Sequence, residues 1–233
     1  MIPLFHDFSG ARVLVFGGGR VGARKARRFA REARVVVVSP VFGDREFGGA
    51  ERVRVAPDSE VVPDWFDRVD PALAVAATDD EAVNDAVARA ARERGVLLNR
   101  ADRSTDDDPA ESDADPGGDE DDGDERAREV VVPATVRDDP VTLAVATGGR
   151  SPALSRSLRE RFETEFAGAG AMAELSGALR TELRDRGVAP AERRAAIRAV
   201  VRSERVWKAL GESSPSARTE AESVISDVLA GDA

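Results

Sequence analysis

A glycine-rich turn directly behind a short apolar block constrains the fold of this chain more than any other feature. The block at residues 11–16, ARVLVF, has the length and composition of a buried parallel strand. It ends in GGGRVG at residues 17–22, which fits the spacing G-x-G-x-x-G. Small and apolar residues then recur at helical spacing as far as residue 33, and the block VVVV follows at residues 35–38. The pattern predicts a strand–helix–strand unit with a glycine turn at its first bend.

Each glycine of this turn has a predicted task if the turn binds a pyrophosphate. Gly17 would permit the tight turn, Gly19 would let the backbone approach the phosphates, and Gly22 would let the helix pack closely on the sheet. The helix N-terminus adds N–H groups and the positive end of its dipole. We therefore assign residues 17–22, with Gly18 among them, to a dinucleotide cofactor. The alternative is a glycine-rich turn that binds no ligand.

Further strand and helix signals extend this unit to about residue 100. Residues 51–56 give a strand signal, residues 72–76 give a stronger one and residues 96–99 a further one, and residues 80–94 carry apolar side chains on one helical face. Strands that alternate with helices indicate an α/β fold with a Rossmann-type doubly wound parallel sheet. We place this dinucleotide-binding domain at residues 1–102.

The end of the second predicted strand departs from the usual dinucleotide pattern. An acidic residue there normally binds the ribose hydroxyls, but this chain has Ser39 followed by Pro40. The ribose must then be held in another way. The choice between NAD and NADP is therefore open from these residues.

A strongly acidic segment follows the domain. Residues 104–125 hold twelve Asp or Glu and no Lys or Arg, and removing these charges from the net charge of −10 leaves +2. The segment has no apolar side chain larger than alanine, so we predict a disordered acidic insert at residues 103–128, with a divalent-cation site as the alternative. No basic stripe with interleaved aromatic residues is present, which argues against a nucleic-acid partner.

Composition excludes several other classes. The chain has no cysteine, so it has no disulfide, thiol nucleophile or thiolate metal site. No apolar run approaches the ~20 residues of a membrane span, and the N-terminus lacks the features of a signal peptide, so we expect a cytoplasmic protein. The single histidine, His6, is interpreted as a surface or packing residue and not as a catalyst or iron ligand.

Two strand signals and a series of helix signals complete the chain. Residues 129–136 and 141–147 predict a β-hairpin, within a region that we place at residues 129–150. From residue 151 onward no strand signal remains, and regular apolar rows predict three or four helices in a small helical domain at residues 151–233. These rows are interpreted as core, although packing against a partner subunit would also explain them.

Three further motifs, together with the glycine turn, carry a family resemblance. They are AATDDEAVN at residues 76–84, LNRAD at residues 98–102 and ATGGRSP at residues 146–152, and PLF at residues 3–5 adds to them. In this order and spacing they resemble the precorrin-2 dehydrogenase family, which includes the N-terminal module of sirohaem synthase and bifunctional dehydrogenase–ferrochelatases. The resemblance covers residues 1 to about 165. It implies a Rossmann domain, a dimerisation region containing the hairpin, and a helical domain.

The resemblance also implies an activity and a set of cofactor contacts. The family oxidises precorrin-2 to sirohydrochlorin with NAD, some members then insert ferrous iron, and a homodimer is expected. Beyond the glycines, the cofactor contacts of the family fall on Arg20, Val21, Val41, Phe42, Thr78 and Asp79. A basic helical face follows the glycine turn and is interpreted as solvated. It consists of Arg20, Arg24, Lys25, Arg27, Arg28 and Arg31. Arg24 and Lys25 follow the turn closely enough to contact a cofactor phosphate or a substrate carboxylate, which is the alternative for these two residues.

The important aspartate of the family falls on Asp102, which we assign as the catalytic residue. Most relatives have two apolar residues between the Asn and the Asp of this motif, and here Arg100 replaces one of them. A carboxylate beside the tetrapyrrole could accept a proton as hydride leaves, or take protons from pyrrole nitrogens during metallation. The alternative for Asp102 is an ordinary aspartate at a strand end.

A second glycine turn resembles the S/T-G-G-x-S-P signature of the family. It leads into a helix N-terminus, where anions bind, and the substrate is a polycarboxylate. Charge-assisted hydrogen bonds from this turn, with Arg156 as a further candidate, would hold the substrate. We assign substrate binding to Thr147, Gly148, Gly149, Arg150 and Ser151. Plain capping of the helix by Ser151 is the alternative, and both roles are compatible.

Two functions of different classes follow. The first is an NAD-dependent enzyme that acts on precorrin-2, with iron insertion as a further activity that the residues leave open. The second is a non-enzymatic dinucleotide sensor, which would bind NAD or NADH tightly without turnover. The motifs at Asp102 and at Thr147 favour the enzyme, because a sensor would not need them.

Overall fold

The computed structural model describes residues 2–101, 129–212 and 214–231. The chain divides into two compact units, Met1–Val132 and Pro133–Ala233. Asp102 and the predicted acidic insert lie outside the described residues.

The first unit is built on a five-stranded parallel sheet with the strand order β3-β2-β1-β4-β5. Its strands are β1 (Arg12–Phe16), β2 (Arg34–Ser39), β3 (Glu51–Arg54), β4 (Leu73–Ala76) and β5 (Leu97–Arg100). The helices are α1 (Arg20–Phe29), α2 (Val62–Val69) and α3 (Glu81–Arg94). The predicted Rossmann-type doubly wound sheet is confirmed.

Both faces of this sheet are covered, as the apolar character of β1 requires. Val13 and Val15 belong to one apolar cluster, which also holds the buried residues of α1. Leu14 and Phe16 belong to a second cluster with residues of α2 and α3, and the rings of Phe16 and Phe66 stack with centroids 6.4 Å apart. Side chains alternate between the two faces of a strand, so a strand buried on both faces is apolar throughout.

The helix α2 was not predicted from the sequence. Its start is marked by Asp58, whose side chain accepts hydrogen bonds from the backbone N–H groups of Glu60 and Val61, each at 3.0 Å. Pro63 lies in its first turn. The helix is short, and its place in the core depends on Phe66, which is 1% exposed. Its apolar residues Val62, Trp65, Phe66 and Val69 follow the spacing i, i+3, i+4, i+7, so a short helical signal was present in the sequence and was missed.

The two ends of the stretch that is not described lie side by side at the edge of the sheet. Glu129 forms a parallel bridge with Leu98, and the Val130 N–H donates to the Leu98 carbonyl at 2.7 Å. On the other side of β5, the Ala101 N–H donates to the Ala76 carbonyl at 2.8 Å. The chain therefore leaves the unit beyond the end of β5, and Glu129 rejoins it beside Leu98 on the side of β5 away from β4.

Because of this geometry, deletion of residues 104–125 is expected to leave the fold intact. The shortened chain keeps residues 102, 103 and 126–128 to connect residue 101, beyond the end of β5, with Glu129 beside Leu98. Loop closure varies only slowly with length, by about 0.6 kcal/mol for each doubling, so urea unfolding should show a change of about 1.5 kcal/mol or less. A loss of several kcal/mol would show instead that the segment takes part in the folded structure.

The second unit contains a two-stranded antiparallel hairpin followed by helices. The strands are β6 (Ala134–Asp138) and β7 (Val141–Val145), and the helices are α4 (Pro152–Glu165), α5 (Ala169–Asp185), α6 (Pro190–Arg202), α7 (Glu204–Glu212) and α8 (Ser214–Ala230). The predicted hairpin and small helical region are confirmed. One predicted apolar row, at residues 197–210, divides at Ser203, whose extended backbone ends α6 and whose carbonyl oxygen accepts the N–H groups of Val206 and Trp207.

The apolar rows of this unit differ in burial. The rows of α5, α6, α7 and α8 form one core that includes Met172, Leu183, Val200 and Ile225. The row of α4 was also interpreted as core, and within this chain that interpretation is wrong, because α4 has no buried residue. Its Leu154 side chain is 49% exposed. Helical periodicity shows that a face is apolar but does not show what covers it.

Candidate functional site

The glycine turn lies where the chain reverses the direction in which it adds strands to the sheet. β1 is flanked by β2 on one side and β4 on the other. The Gly17 N–H donates to the Val38 carbonyl of β2 at 3.0 Å, and the Ala77 N–H donates to the Phe16 carbonyl at 2.9 Å. The carboxyl ends of β1, β2 and β4 therefore meet at one crevice, which is the ligand position in open α/β sheets.

Two glycines of the turn leave no room for a side chain. Gly17 has φ +116°, and a Cβ there would lie 2.1 Å from the Ala77 carbonyl oxygen. A Cβ on Gly22 would lie 1.9 Å from the Gly17 carbonyl oxygen. We predicted that Gly22 lets the helix pack on the sheet, but the close contact is with the turn itself. Gly19, in contrast, has no atom within 4 Å of its Cβ position. The turn is thus closed on its protein side and open at Gly19, as a pyrophosphate cradle requires.

The start of α1 differs from the starts of α3 and α4. No side chain caps α1, its N-cap is Gly19, and its first turn holds no acidic residue. At α3, Asp80 accepts hydrogen bonds from the N–H groups of Ala82 and Val83. Arg20 and Val21, both assigned to the cofactor, are the first residues of α1. An uncapped first turn beside an open glycine is suited to an anionic ligand.

The segment after β2 is fastened to the glycine turn. The Ser39 hydroxyl donates to the Val41 carbonyl at 2.8 Å, and a Cβ on Gly18 would lie 2.3 Å from the same carbonyl oxygen. The Gly43 N–H donates to the Gly18 carbonyl at 3.3 Å. This explains why position 18 is glycine, which the spacing rule leaves unassigned. It also places Val41 beside the turn, with its side chain 67% exposed.

Phe42 is held by aromatic and cationic neighbours. Its ring meets Phe47 edge-on at a centroid distance of 5.4 Å. The guanidinium carbons of Arg52 and Arg54, both on β3, lie 5.8 Å and 5.9 Å from the Phe42 centroid. These contacts hold the ring in place by packing and cation–π attraction. The side of the crevice formed by β2 and β3 therefore has a defined wall.

The turn after β4 is held by Asn84, to which sequence reasoning had assigned no role. Asn84 is 2% exposed, its Nδ2 donates to the Thr78 carbonyl at 2.9 Å, and its Oδ1 accepts the Thr78 N–H at 3.2 Å. The Thr78 hydroxyl lies 2.8 Å from the same Oδ1 atom. Thr78 is therefore held rigidly next to the Ala77 carbonyl that contacts Gly17, while Asp79 is exposed. The signal that the sequence offered was an asparagine next to Val83 in the first turn of α3.

One residue of the predicted solvated face of α1 is in fact buried. Lys25 is 3% exposed, whereas Arg27 and Arg31 lie at the surface. The interpretation of Lys25 as solvated is therefore wrong. Lys25 lies three residues after Gly22 and four before Phe29, so it shares their buried helical face.

The motif around the proposed catalytic residue is described up to Ala101. The Asn99 Nδ2 donates to the Val130 carbonyl at 2.8 Å, which ties β5 to the chain after residue 128. Arg100, the departure from the family pattern, has a side chain that is 5% exposed and pairs with Asp85 of α3 at 2.9 Å. The unusual arginine thus has a charged partner on the neighbouring helix. Asp102 itself lies outside the described residues.

This pair leads to a stability prediction. An Asp85→Ala variant is expected to lose about 1 to 2 kcal/mol of unfolding free energy, because it removes a charged partner of the buried Arg100 side chain. The loss is smaller than for a fully buried pair, because Asp85 is half-exposed and water screens its charge. Adding Arg100→Leu should restore stability to within about 1 kcal/mol of the wild type, since an apolar side chain needs no charged partner. Urea unfolding measures both, and a double variant less stable than the single one would contradict this account.

The second glycine turn belongs to the second unit and follows β7. Gly148 and Gly149 have φ +64° and +77°, and neither has an atom within 4 Å of its Cβ position. The Thr147 hydroxyl lies 3.0 Å from the Ser155 hydroxyl and accepts the Ser151 N–H at 3.3 Å. Ser151 caps α4 through the Leu154 N–H, so the predicted capping role is present. The turn follows a strand of the separate hairpin and not of the five-stranded sheet.

Other predicted features are placed as follows. His6 is exposed, and its ring lies edge-on to Phe8 at 4.5 Å. Among the described residues, no group of three or more histidine or acidic side chains is arranged to hold a metal ion. In the same part of the chain, no helix has the length and apolar character needed to cross a membrane.

Known proteins similar to this chain agree with these features. The model of a family described as putative NAD(P)-binding matches residues 4–113. The structure of SirC, precorrin-2 dehydrogenase, aligns with a TM-score of 0.62 and 20% identity, over 97% of this chain and 100% of that one. That likeness shows the fold.

Two curated relatives are similar to this chain over most of its length. The precorrin-2 dehydrogenase of Methanosarcina barkeri is 28% identical over 98% of this chain and 95% of its own length. The siroheme synthase of Azotobacter vinelandii is 35% identical over 78% of this chain, and the chain spans about a third of it, 35%. The glycine turn, the matched family model and the similarity over nearly the whole length of the first relative agree: this chain binds a nicotinamide dinucleotide and is similar to precorrin-2 dehydrogenases.

Proposed function

We propose that this chain is an NAD-dependent precorrin-2 dehydrogenase, which oxidises precorrin-2 to sirohydrochlorin in sirohaem biosynthesis. The observation that carries the proposal is the glycine turn, which is closed at Gly17 and Gly22 and open at Gly19. It is the cofactor cradle of a chain that aligns with almost the full length of a precorrin-2 dehydrogenase. The cytoplasmic location stays a prediction.

The cofactor would be held by residues from three loops of one crevice. Backbone groups at Gly18, Gly19, Arg20 and Val21 would meet the pyrophosphate, with the positive end of the α1 dipole behind them. The segment at Val41 and Phe42 would flank the adenosine side, and that at Thr78 and Asp79 the nicotinamide side. When bound, the nicotinamide ring supplies a two-electron acceptor for hydride.

The substrate would be held through its carboxylates. The turn from Thr147 to Ser151 offers exposed backbone around two left-handed glycines, and the exposed Arg150 supplies a bidentate donor. Oxidation removes a hydride and a proton in total, so one group must accept the proton. We assign that role to Asp102.

An anaerobic assay with precorrin-2 and NAD tests the proposal directly. We expect the sirohydrochlorin spectrum to rise together with one equivalent of NADH, and no NADH without the tetrapyrrole. NADH production at background level would contradict the proposal, and tight NADH binding without turnover would favour the sensor. Repeating the assay with ferrous iron tests whether iron insertion is a further activity.

The proposed homodimer rests on the uncovered apolar row of α4. Leu154 and Phe166 are 49% and 42% exposed, and Leu158 and Phe162 are partly exposed between them. Such a row on a soluble protein marks an interaction surface, and two-fold dimers are the commonest assemblies.

A Phe162→Glu variant is accordingly expected to be monomeric at micromolar concentration. Light scattering after size exclusion measures the mass. The matched control is Thr164→Glu, which introduces the same side chain and the same charge change on the opposite, exposed side of α4 and should remain dimeric. A wild type that is monomeric at high concentration, or two variants with equal masses, would contradict the assignment.

A further inference from the structure

A cavity with several arginines lies beside the glycine turn. It has a volume of about 380 Å³ and is lined by Arg20, Arg24, Arg27, Asp44, Arg45 and Glu46. Four guanidinium groups face two carboxylates, so the lining carries a net positive charge. A cavity of this composition is suited to an anion with more than one negative charge.

The walls of this cavity connect the pyrophosphate cradle to the end of β2. Arg20 follows Gly19 directly at the start of α1. The opposite wall, at residues 44–46, follows the Gly43 N–H that donates to Gly18. Further along, a Cβ on Gly48 would lie 2.9 Å from the Arg27 Cα, so this connection packs closely on α1. In dinucleotide-binding sheets the adenosine ribose lies between these two points.

The end of β2 carries no acid that would repel a phosphate there. Ser39 is 6% exposed, and its hydroxyl donates to the Val41 carbonyl. The neighbouring strand places Arg54 in register with Ser39, which adds another cation at the same edge of the sheet. An acid at this position selects the free ribose hydroxyl of NAD, whereas a nearby arginine accommodates the 2′-phosphate of NADP.

We infer that this cavity accepts the 2′-phosphate of NADP, so that the chain uses NADP as well as NAD. The inference rests on the proposed dinucleotide site and adds which group the adenosine ribose carries at its 2′ position. A phosphate monoester forms bidentate, charge-assisted hydrogen bonds with guanidinium groups. Arg24 and Arg45 are the principal ligands that we assign, because Arg20 also adjoins the pyrophosphate.

Binding measured without tetrapyrrole tests the inference. The full chain is titrated separately with NADH and NADPH, and nicotinamide fluorescence or calorimetry gives each Kd. We expect NADPH to bind at least as tightly as NADH, whereas an acid at the end of β2 would disfavour NADPH about 100-fold. Competition by adenosine 2′,5′-bisphosphate should exceed that by ADP for the same reason.

Variants locate the phosphate. Arg24→Ala and Arg45→Ala should each weaken NADPH binding about tenfold and change NADH binding less than about twofold. Arg31→Ala, at the surface beyond α1 and outside the cavity lining, is the matched control and should change neither. Asp44→Asn should strengthen NADPH binding, because it removes a negative charge from the cavity.

The outcomes separate this inference from the proposed function. The inference would be overturned if NADH bound and NADPH bound tenfold or more weakly than NADH. Unchanged NADPH binding in both arginine variants would overturn it too. Either result would leave the proposed dinucleotide site intact. Weaker NADH binding in Asp44→Asn would show that Asp44 holds the ribose hydroxyls, which also overturns it. Failure of both cofactors to bind would overturn the proposed function itself.

Discussion

A Gly22→Ala variant is expected to lose most of its dinucleotide binding together with part of its stability. The added methyl carbon would lie 1.9 Å from the Gly17 carbonyl oxygen, and a backbone atom cannot move aside as a flexible side chain can. Overpacking of this kind costs about 1 to 3 kcal/mol, which lowers the Tm by about 2 to 12 °C in a chain of this size. The displaced turn should bind NADH at least about tenfold more weakly. Thermal unfolding and NADH titration measure the two effects.

A Gly19→Ala variant separates binding from folding. Gly19 has φ −79° and ψ −166°, which alanine adopts freely, and its Cβ would meet no protein atom within 4 Å. Its Tm should therefore stay within about 4 °C of the wild type, because the lower unfolded-state entropy of alanine opposes its weaker preference for the N-cap position. NADH binding should still weaken about tenfold or more, because the methyl group takes the space through which the backbone approaches the pyrophosphate. Unchanged NADH affinity in this variant would contradict the placement of the cofactor.

An Asp102→Asn variant is expected to bind NADH normally and to lose catalysis. The amide keeps the shape of the side chain but cannot accept a proton, and general-base catalysis is worth about 100- to 10,000-fold. The anaerobic precorrin-2 assay should therefore show kcat reduced by at least about 100-fold. An Asp102→Glu variant should recover part of this loss, since it restores the carboxylate in a slightly shifted position.

The control for Asp102 is an aspartate away from the crevice. Asp64→Ala removes an exposed carboxylate in the first turn of α2 and should leave kcat unchanged. Normal turnover by Asp102→Asn would show that another group, or water, takes the proton. Lost NADH binding in that variant would show a structural role instead, because Asp102 was assigned to the chemistry and not to the cofactor.

Much of the first unit could be predicted from short-range patterns. The strand–turn–helix start, the parallel strands and the helix at residues 81–94 were each recognised, because period and turn composition are local properties. The helix α2 escaped because its apolar spacing extends over only two turns, and the stacking of Phe66 on Phe16, fifty residues earlier, becomes visible only in the folded chain. The division of the apolar row at Ser203 escaped as well. The helix ends there because the backbone of Ser203 is extended, and the apolar spacing of the sequence does not show this change.

The candidate site was predicted in outline but not in its contacts. The spacing rule explained Gly17 and Gly19, while the partners of Gly18 and Gly22 are the Val41 and Gly17 carbonyl oxygens. The contact between Gly18 and Val41 cannot be read from a local pattern, because the two residues are more than twenty positions apart in the sequence. The clamp that Asn84 forms on Thr78, and the pairing of Arg100 with Asp85, became visible only once the helix α3 was placed on the sheet.

The sequence by itself determined the class of fold, the position of the pyrophosphate cradle and the family resemblance. These depend on residue types at fixed spacings, which constrain the backbone directly. Only the tertiary structure decided that Lys25 is buried, that the apolar row of α4 is uncovered among the described residues, and which arginines line the cavity beside the glycine turn. Burial and charge environment depend on residues that are distant along the chain, and only the folded arrangement brings them together.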